Sequence, residues 1–196
     1  MTYAELIAEV YTQTNRPDLV NETAAAVRSA TLKMHQISYW DRDLFETGID
    51  FGDELFLQVL DFGTLIPLFR AIKYLRKADV TSQNLGKKFK VLTPDFALDD
   101  YNLEKSDVLY LSGNTLQIRS STKFRYAVLG CYLYPNVTAS GYNSWIANTS
   151  PYAIIHEAAR AIMKSIGLQE ESAQQNQLVA EQVALLTISN TVAEGS

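Results

Sequence analysis

Apolar residues recur at steps of three and four over residues 1–40, change to strand-like alternation between Phe45 and Pro135, and return to helical steps from Pro151. A period near 3.6 places apolar side chains on one face of a helix, and a period of two places them on one face of a strand. A segment built for one period cannot bury its apolar set as the other. The double switch therefore predicts an α+β fold: a four-helix bundle formed by N- and C-terminal helix pairs with an inserted antiparallel β subdomain. The expected boundaries are 1–40 and 144–192 for the bundle and 41–143 for the insert.

The helical ends carry identifiable start and stop signals. Thr2 followed by Glu5 forms a capping box, and Tyr3, Leu6, Ile7, Val10 and Tyr11 form the apolar stripe of a first helix that fades at Thr12–Asn15. A second helix is expected from near Pro17, with Val20, Ala24, Val27, Thr31 and Met34 on its buried face. The alanines from Ala24 to Ala30 keep it thin, and the stretch Arg16–Leu44 exits through Tyr39-Trp40. Ser150 and Pro151 open a third helix, whose seam runs through Ile154, Ile155, Ala158, Ala159, Ile162, Met163 and Ile166 to a stop at Gly167. A fourth, from Gln169 to Thr191, is polar in its first half and apolar on more than one side in its second.

The middle reads as strands. Ile49–Phe51 and Leu55–Leu60 are separated by Gly52-Asp53, and Phe69–Leu75 is rich in β-formers. Val108–Leu111, the turn Ser112-Gly113-Asn114 and Thr115–Arg119 form the clearest hairpin. Phe124–Tyr134 reads as a further strand interrupted by Gly130, Phe96–Tyr101 as a short helical turn, and Asn136–Asn143 as a polar linker.

Composition narrows the function classes. A net charge of -5 argues against a general nucleic-acid binder, and one cysteine, Cys131, excludes an internal disulfide framework. The N-terminus lacks a signal-peptide pattern, and no apolar run approaches the roughly 18 residues of a membrane span. His35 and His156 lack Cys, His or Asp partners at i±4, so neither points to a metal, and no cofactor is expected. Cys131 reads as a buried thiol, and Asp61-Phe62-Gly63 as a turn without the loops of a kinase. Asp50/Asp53 and Asp99/Asp100 lack calcium-loop spacing. No catalytic site is expected.

The order of motifs resembles the tailed-bacteriophage head-to-tail adaptor (connector) proteins. The resemblance rests on Arg16–Val20 with Ala30–His35, the exit Tyr39–Leu44, the strand Phe69–Leu75, the hairpin Tyr110–Ile118, and Trp145–Ile166 followed by a Glu/Gln-rich helix. It covers nearly the whole chain. It implies a virion protein at the head–tail interface, assembled in the host cytoplasm, that binds the portal protein as a homo-oligomeric ring, a dodecamer. It further implies passage of DNA through the lumen without sequence-specific binding, retention of packaged DNA, and a platform for a tail tube or nozzle protein.

Within that reading Leu178, Val179, Val183, Leu185, Leu186 and Ile188 are expected at the portal or subunit interface. Arg28, Lys33, Arg76, Lys77, Lys87 and Lys88 are expected to face the lumen or a neighbouring subunit. The alternative is a ligand-binding module, for carbohydrate, using Tyr101, Tyr110, Phe124, Tyr126, Tyr132 and Tyr134.

Overall fold

A computed structural model describes residues 1–78, 85–93 and 107–194, with side chains to 189. The chain separates into two compact units, Met1–Asp43 with Tyr134–Ser196, and Leu44–Leu133. Among the described residues the fold is α+β, with six α-helices and a six-stranded, nearly closed, barrel-like sheet.

The expected four-helix bundle with an inserted antiparallel subdomain does not form. The helical unit contains α1 (Tyr3–Thr14), α2 (Val20–Gln36), the short α4 (Trp145–Thr149), α5 (Pro151–Ser165) and α6 (Gln169–Glu194). A stave in a four-helix bundle buries one stripe and leaves the opposite face in water. In α5, by contrast, the seven consecutive residues Ala153–Ala159 are all buried, which covers every side of the helix. The helices α1, α2 and α6 each pack against α5 as a hub, rather than around a shared axial core.

Local chemistry explains most helix ends. The Thr2 hydroxyl accepts from the Glu5 N–H, and the Glu5 carboxylate accepts from the Thr2 N–H, closing the capping box. The second helix starts at Val20 rather than near Pro17, because Arg16 and Asp18 form a bidentate pair that holds a turn before it. Its buried face is also rotated from the expected one: Thr23, Val27, Ala30, Thr31, Met34 and His35 are buried, while Val20 is 57% exposed. Ser150 makes no side-chain cap to α5, whereas Ser144 caps α4 by accepting the Ala147 N–H.

The second unit contains β1 (Leu44–Asp61), α3 (Phe62–Leu65), β2 (Phe69–Ala78), β3 (Leu85–Lys88), β4 (Lys90–Val91), β5 (Val108–Ser112) and β6 (Thr115–Leu133). The long β6 organises it. Along one edge it pairs antiparallel with β1; along the other, its first half pairs with β5 and its second half with β2. The β3 and β4 segments, separated only by Phe89, then join β2 to β5 and bring the sheet back on itself. The β4–β5 pairing is parallel, unlike the antiparallel insert expected.

Closure encloses Leu60, Leu75, Phe89, Leu109, Leu116, Ile118, Phe124 and Leu129 as one apolar core. A small sheet that closes buries one face and removes most of its edges, the two liabilities of isolated strands. The β5–β6 turn follows the expected hairpin, with Gly113 at φ 60, where a side chain would be strained.

Two expected strands, Ile49–Phe51 and Leu55–Leu60, are one strand with register shifts between Asp50 and Leu57. The buried amide of Gln58 spans the irregularity, donating to the Asp53 and Phe124 carbonyls at 2.7 and 2.8 Å. Likewise Thr115–Arg119 and Phe124–Tyr134 merge into β6, because β1 supplies partners along both halves. The expected turn at Phe96–Tyr101 lies outside the described residues, as do Asp99 and Asp100.

Candidate functional site

The most concentrated polar chemistry lies in the helical unit, at the end of α2. His35 Nδ1 lies 2.8 Å from Asp43 Oδ1, and its Nε2 lies 2.9 Å from Ser144 Oγ. Trp145 Nε1 donates to the same Asp43 oxygen at 2.7 Å. With Nδ1–H donating to the carboxylate, Nε2 is left to accept the serine proton, the arrangement of a Ser-His-Asp relay. Here, however, Ser144 is 4% exposed and its Oγ also accepts the Ala147 N–H as the cap of α4. A substrate carbonyl could reach that oxygen only if the surrounding packing opened. In this state the relay acts as a fastener, joining the end of α2, the 3₁₀ turn Asp41–Asp43 and the start of α4.

Aromatic packing closes the same place. Trp40 is fully buried and donates from Nε1 to the Met34 carbonyl, ending the helical stretch at the aromatic exit. Trp145 meets Trp40 and His35 edge-on, and the Arg42 guanidinium lies over its ring. Nearby, the Tyr142 hydroxyl bonds Thr31 at 2.7 Å, and burial raises its pKa.

A second buried charge sits on the hub helix. Glu157 is 5% exposed and is held by Lys33 and Arg160, each at 2.7 Å. Burial by itself would raise its carboxyl pKa, but the two cations outweigh it and the pKa lies below the ordinary value of 4.5. A depressed folded-state pKa contributes stability above the unfolded pKa and loses it as pH falls through the folded one. Glu157→Gln is therefore expected to flatten the acid limb of the stability profile below about pH 4.5. Urea unfolding measured from pH 3 to 7 reads this, and an unchanged acid limb would refute it.

The other histidine, the cysteine and the acidic residues that the sequence set aside as ligands or nucleophiles sit in structural settings. His156 Nδ1 bonds Gln175 Oε1 at 2.7 Å, tying α5 to α6. Cys131 is buried in the barrel, where desolvation pushes its thiol up to about 11, far from a reactive thiolate. Asp61 caps α3 by accepting the Gly63 N–H. Asp50 forms a bidentate pair with Arg125, whose hydrogen bonds hold its carboxyl down at about 2. Among the described residues no cluster of three His, Cys, Asp or Glu is placed to hold a metal, and no helix is long and apolar enough to cross a membrane.

The expected interface residues of the last helix divide by face. Val179 and Leu186 are buried and Val183 packs against the same core, whereas Leu178, Leu185 and Ile188 stand in water. Steps of seven and three keep these last three on one outer face of α6. The apolar character on more than one side is thus two stripes, one spent on the fold.

The expected cations are divided between the two units. Arg28 is exposed on α2, and Lys33 is committed to Glu157. In the barrel, Arg76 and Lys88 both lie over the Tyr74 ring, and Lys77 pairs with Asp107 at 2.8 Å. Lys87 is exposed. Of the aromatics in the carbohydrate reading, Phe124 and Tyr132 are buried, Tyr110, Tyr126 and Tyr134 are half-buried, and Tyr101 lies outside the described residues.

Sequence spacing missed the exposed row on β1. Phe45, Leu55, Phe56, Leu57 and Val59 are each between 42% and 53% exposed, while Gln58 and Leu60 point inward. The signal was present as alternation, but it did not say which face would meet the core. Leu55, Leu57 and Val59 recur at alternate positions, which groups them rather than scattering them over the surface. The features that would interact with something outside the chain are therefore surfaces: this row on β1 and the outer stripe of α6. No protein-family model matches the chain, and no curated protein matches it.

Proposed function

We propose that this chain is a virion structural protein, a head-to-tail adaptor that binds the portal as a ring, helps retain packaged DNA and provides the platform for tail attachment. The observation that carries the reading is the exposed apolar surface, present in both units: Leu178, Leu185 and Ile188 on α6, and the β1 row. Apolar surface left in water by a monomer is characteristic of a protein completed by its partners. The order of sequence motifs supplies the identity of those partners.

The portal contact must be tested without disturbing the core of the helical unit. Truncation after Gly167 would remove Val179 and Leu186 from the helical core and unfold what it is meant to probe. Leu185→Asp with Ile188→Asp alters only the outer stripe of α6. The double variant is expected to keep the wild-type circular dichroism spectrum and melting curve, and to lose at least about tenfold in affinity for purified portal rings. Failure of the wild-type chain to form ring-on-ring particles with portal at any salt concentration would sink the adaptor reading.

A further inference from the structure

The barrel separates its charges by strand. Every charged residue of β1 is acidic: Glu46, Asp50, Asp53, Glu54 and Asp61. Every charged residue of β2, β3 and β4 is basic, with Lys87, Lys88 and Lys90 on the short β3–β4 ribbon. Both regions also expose apolar side chains. Leu55, Leu57 and Val59 accompany Asp53 and Glu54 on β1, and Leu85 and Val91, each about half exposed, flank the lysines of the ribbon. Among the described residues β1 pairs only with β6, so its outer edge carries no strand.

We propose that the β1 row of one copy docks on the β3–β4 ribbon of a second copy, giving a head-to-tail contact between like chains. This deepens the adaptor reading and rests on it for the purpose of the contact, but its evidence is the charge pattern. Apolar side chains meet apolar side chains, and acids meet lysines. The alternative isologous contact, β1 on β1, would bring only acidic charges together, and ribbon on ribbon only lysines. Because the two patches differ, the contact is heterologous, and repetition generates a closed ring or an open filament according to the rotation per subunit.

The test uses the full chain without portal. Sedimentation of the wild type at rising concentration is expected to show self-association that weakens with salt. Asp53→Lys with Glu54→Lys makes both faces basic, and Lys87→Glu with Lys90→Glu makes both acidic. Each double variant alone is expected to associate about tenfold more weakly or less. Mixed in equal amounts they restore opposite charges at every contact, and association should return, which a misfolded variant could not achieve. As a second readout, the chain carrying both Val59→Cys and Lys87→Cys should give a ladder of cross-linked oligomers, since native Cys131 is buried.

A wild type that stays monomeric at every concentration and gives no ladder overturns the inference, as does association indifferent to the swaps or not regained on mixing. Portal binding is measured separately. A chain that binds portal rings but fails here keeps the adaptor reading and loses this contact; one that self-associates through these faces but ignores portal does the reverse.

Discussion

Asp43→Ala is expected to cost the helical unit about 2–5 kcal/mol, the range for removing a buried carboxylate that accepts two hydrogen bonds. A single Asp43 oxygen accepts from both His35 Nδ1 and Trp145 Nε1, and the side chain is 4% exposed. Alanine leaves the His35 and Trp145 donors without this acceptor. It also frees the His35 ring, which orients Ser144 and through it the start of α4. Asp43→Asn, which keeps an oxygen of similar reach, is expected to lose clearly less. Both tryptophans of the chain, Trp40 and Trp145, belong to this unit, so their emission during urea unfolding follows it without contribution from the barrel. A loss below about 1 kcal/mol for alanine would show that the fastener is dispensable.

Gly130→Ala has the second largest expected effect, and its sign is the opposite of what strand propensity predicts. Glycine weakens a strand interior, so alanine at this position on an open sheet would stabilise. Here β6 runs between β1 and β2, and the ring of Tyr74 on β2 lies across Gly130 so that its hydroxyl bonds Glu46 on β1. A Cβ at Gly130 would stand 2.6 Å from Tyr74 Cε1, closer than two carbons can approach. The ring must leave, and the β2–β1 link over the strand breaks with it. The expected cost is about 1–3 kcal/mol.

The coupling is measurable as a cycle. In a Tyr74→Ala background the same substitution should cost little or nothing, an interaction energy of about 0.5–3 kcal/mol. Near-ultraviolet circular dichroism of the tyrosines and urea unfolding both report it. Additive losses would show that Gly130 is required for a reason other than the ring. The contact also explains Arg76 and Lys88, both of which lie over the Tyr74 face. Two of the cations expected to face the lumen or a neighbouring subunit thus lie over an aromatic of their own barrel wall.

Much of the local structure was legible because its causes are local. The capping box of Thr2 and Glu5, the proline opening of α5 and the Gly113 turn each depend on residues a few positions apart. The alternation of β5 and the start of β6 likewise identified a hairpin. Errors began where one element's neighbours decide its burial. The periodicity of α5 reads as a bundle seam, but polar Glu157 and His156 inside the helix reverse that reading once Lys33 and Gln175 arrive to satisfy them. The second half of α6 held two apolar stripes, and nothing in the spacing said which belonged to the core.

The buried fastener was the least legible feature. His35 has no helper at helical spacing, so nothing along its own helix marks it. Its partners are Asp43, after the chain has turned through Trp40, and Ser144, on the far side of the whole barrel segment in sequence. The only hint was an acidic pair beside an aromatic exit, which also fits an ordinary solvated turn.

The sequence by itself determined the four long helices, the strand-rich middle and the β5–β6 hairpin, because hydrophobic period, caps and turn residues act within a few positions of one another; it did not mark α3, α4 or the β3–β4 ribbon. It also determined that charges of one sign gather on β1 and of the other on β2 through β4. The tertiary structure decided the rest: α5 as a hub, the sheet closed through the Phe89 ribbon, and which apolar face of each element is left in water. Those outcomes depend on contacts between residues tens of positions apart. Burial is a property of the neighbours that arrive, and no period along the chain records it.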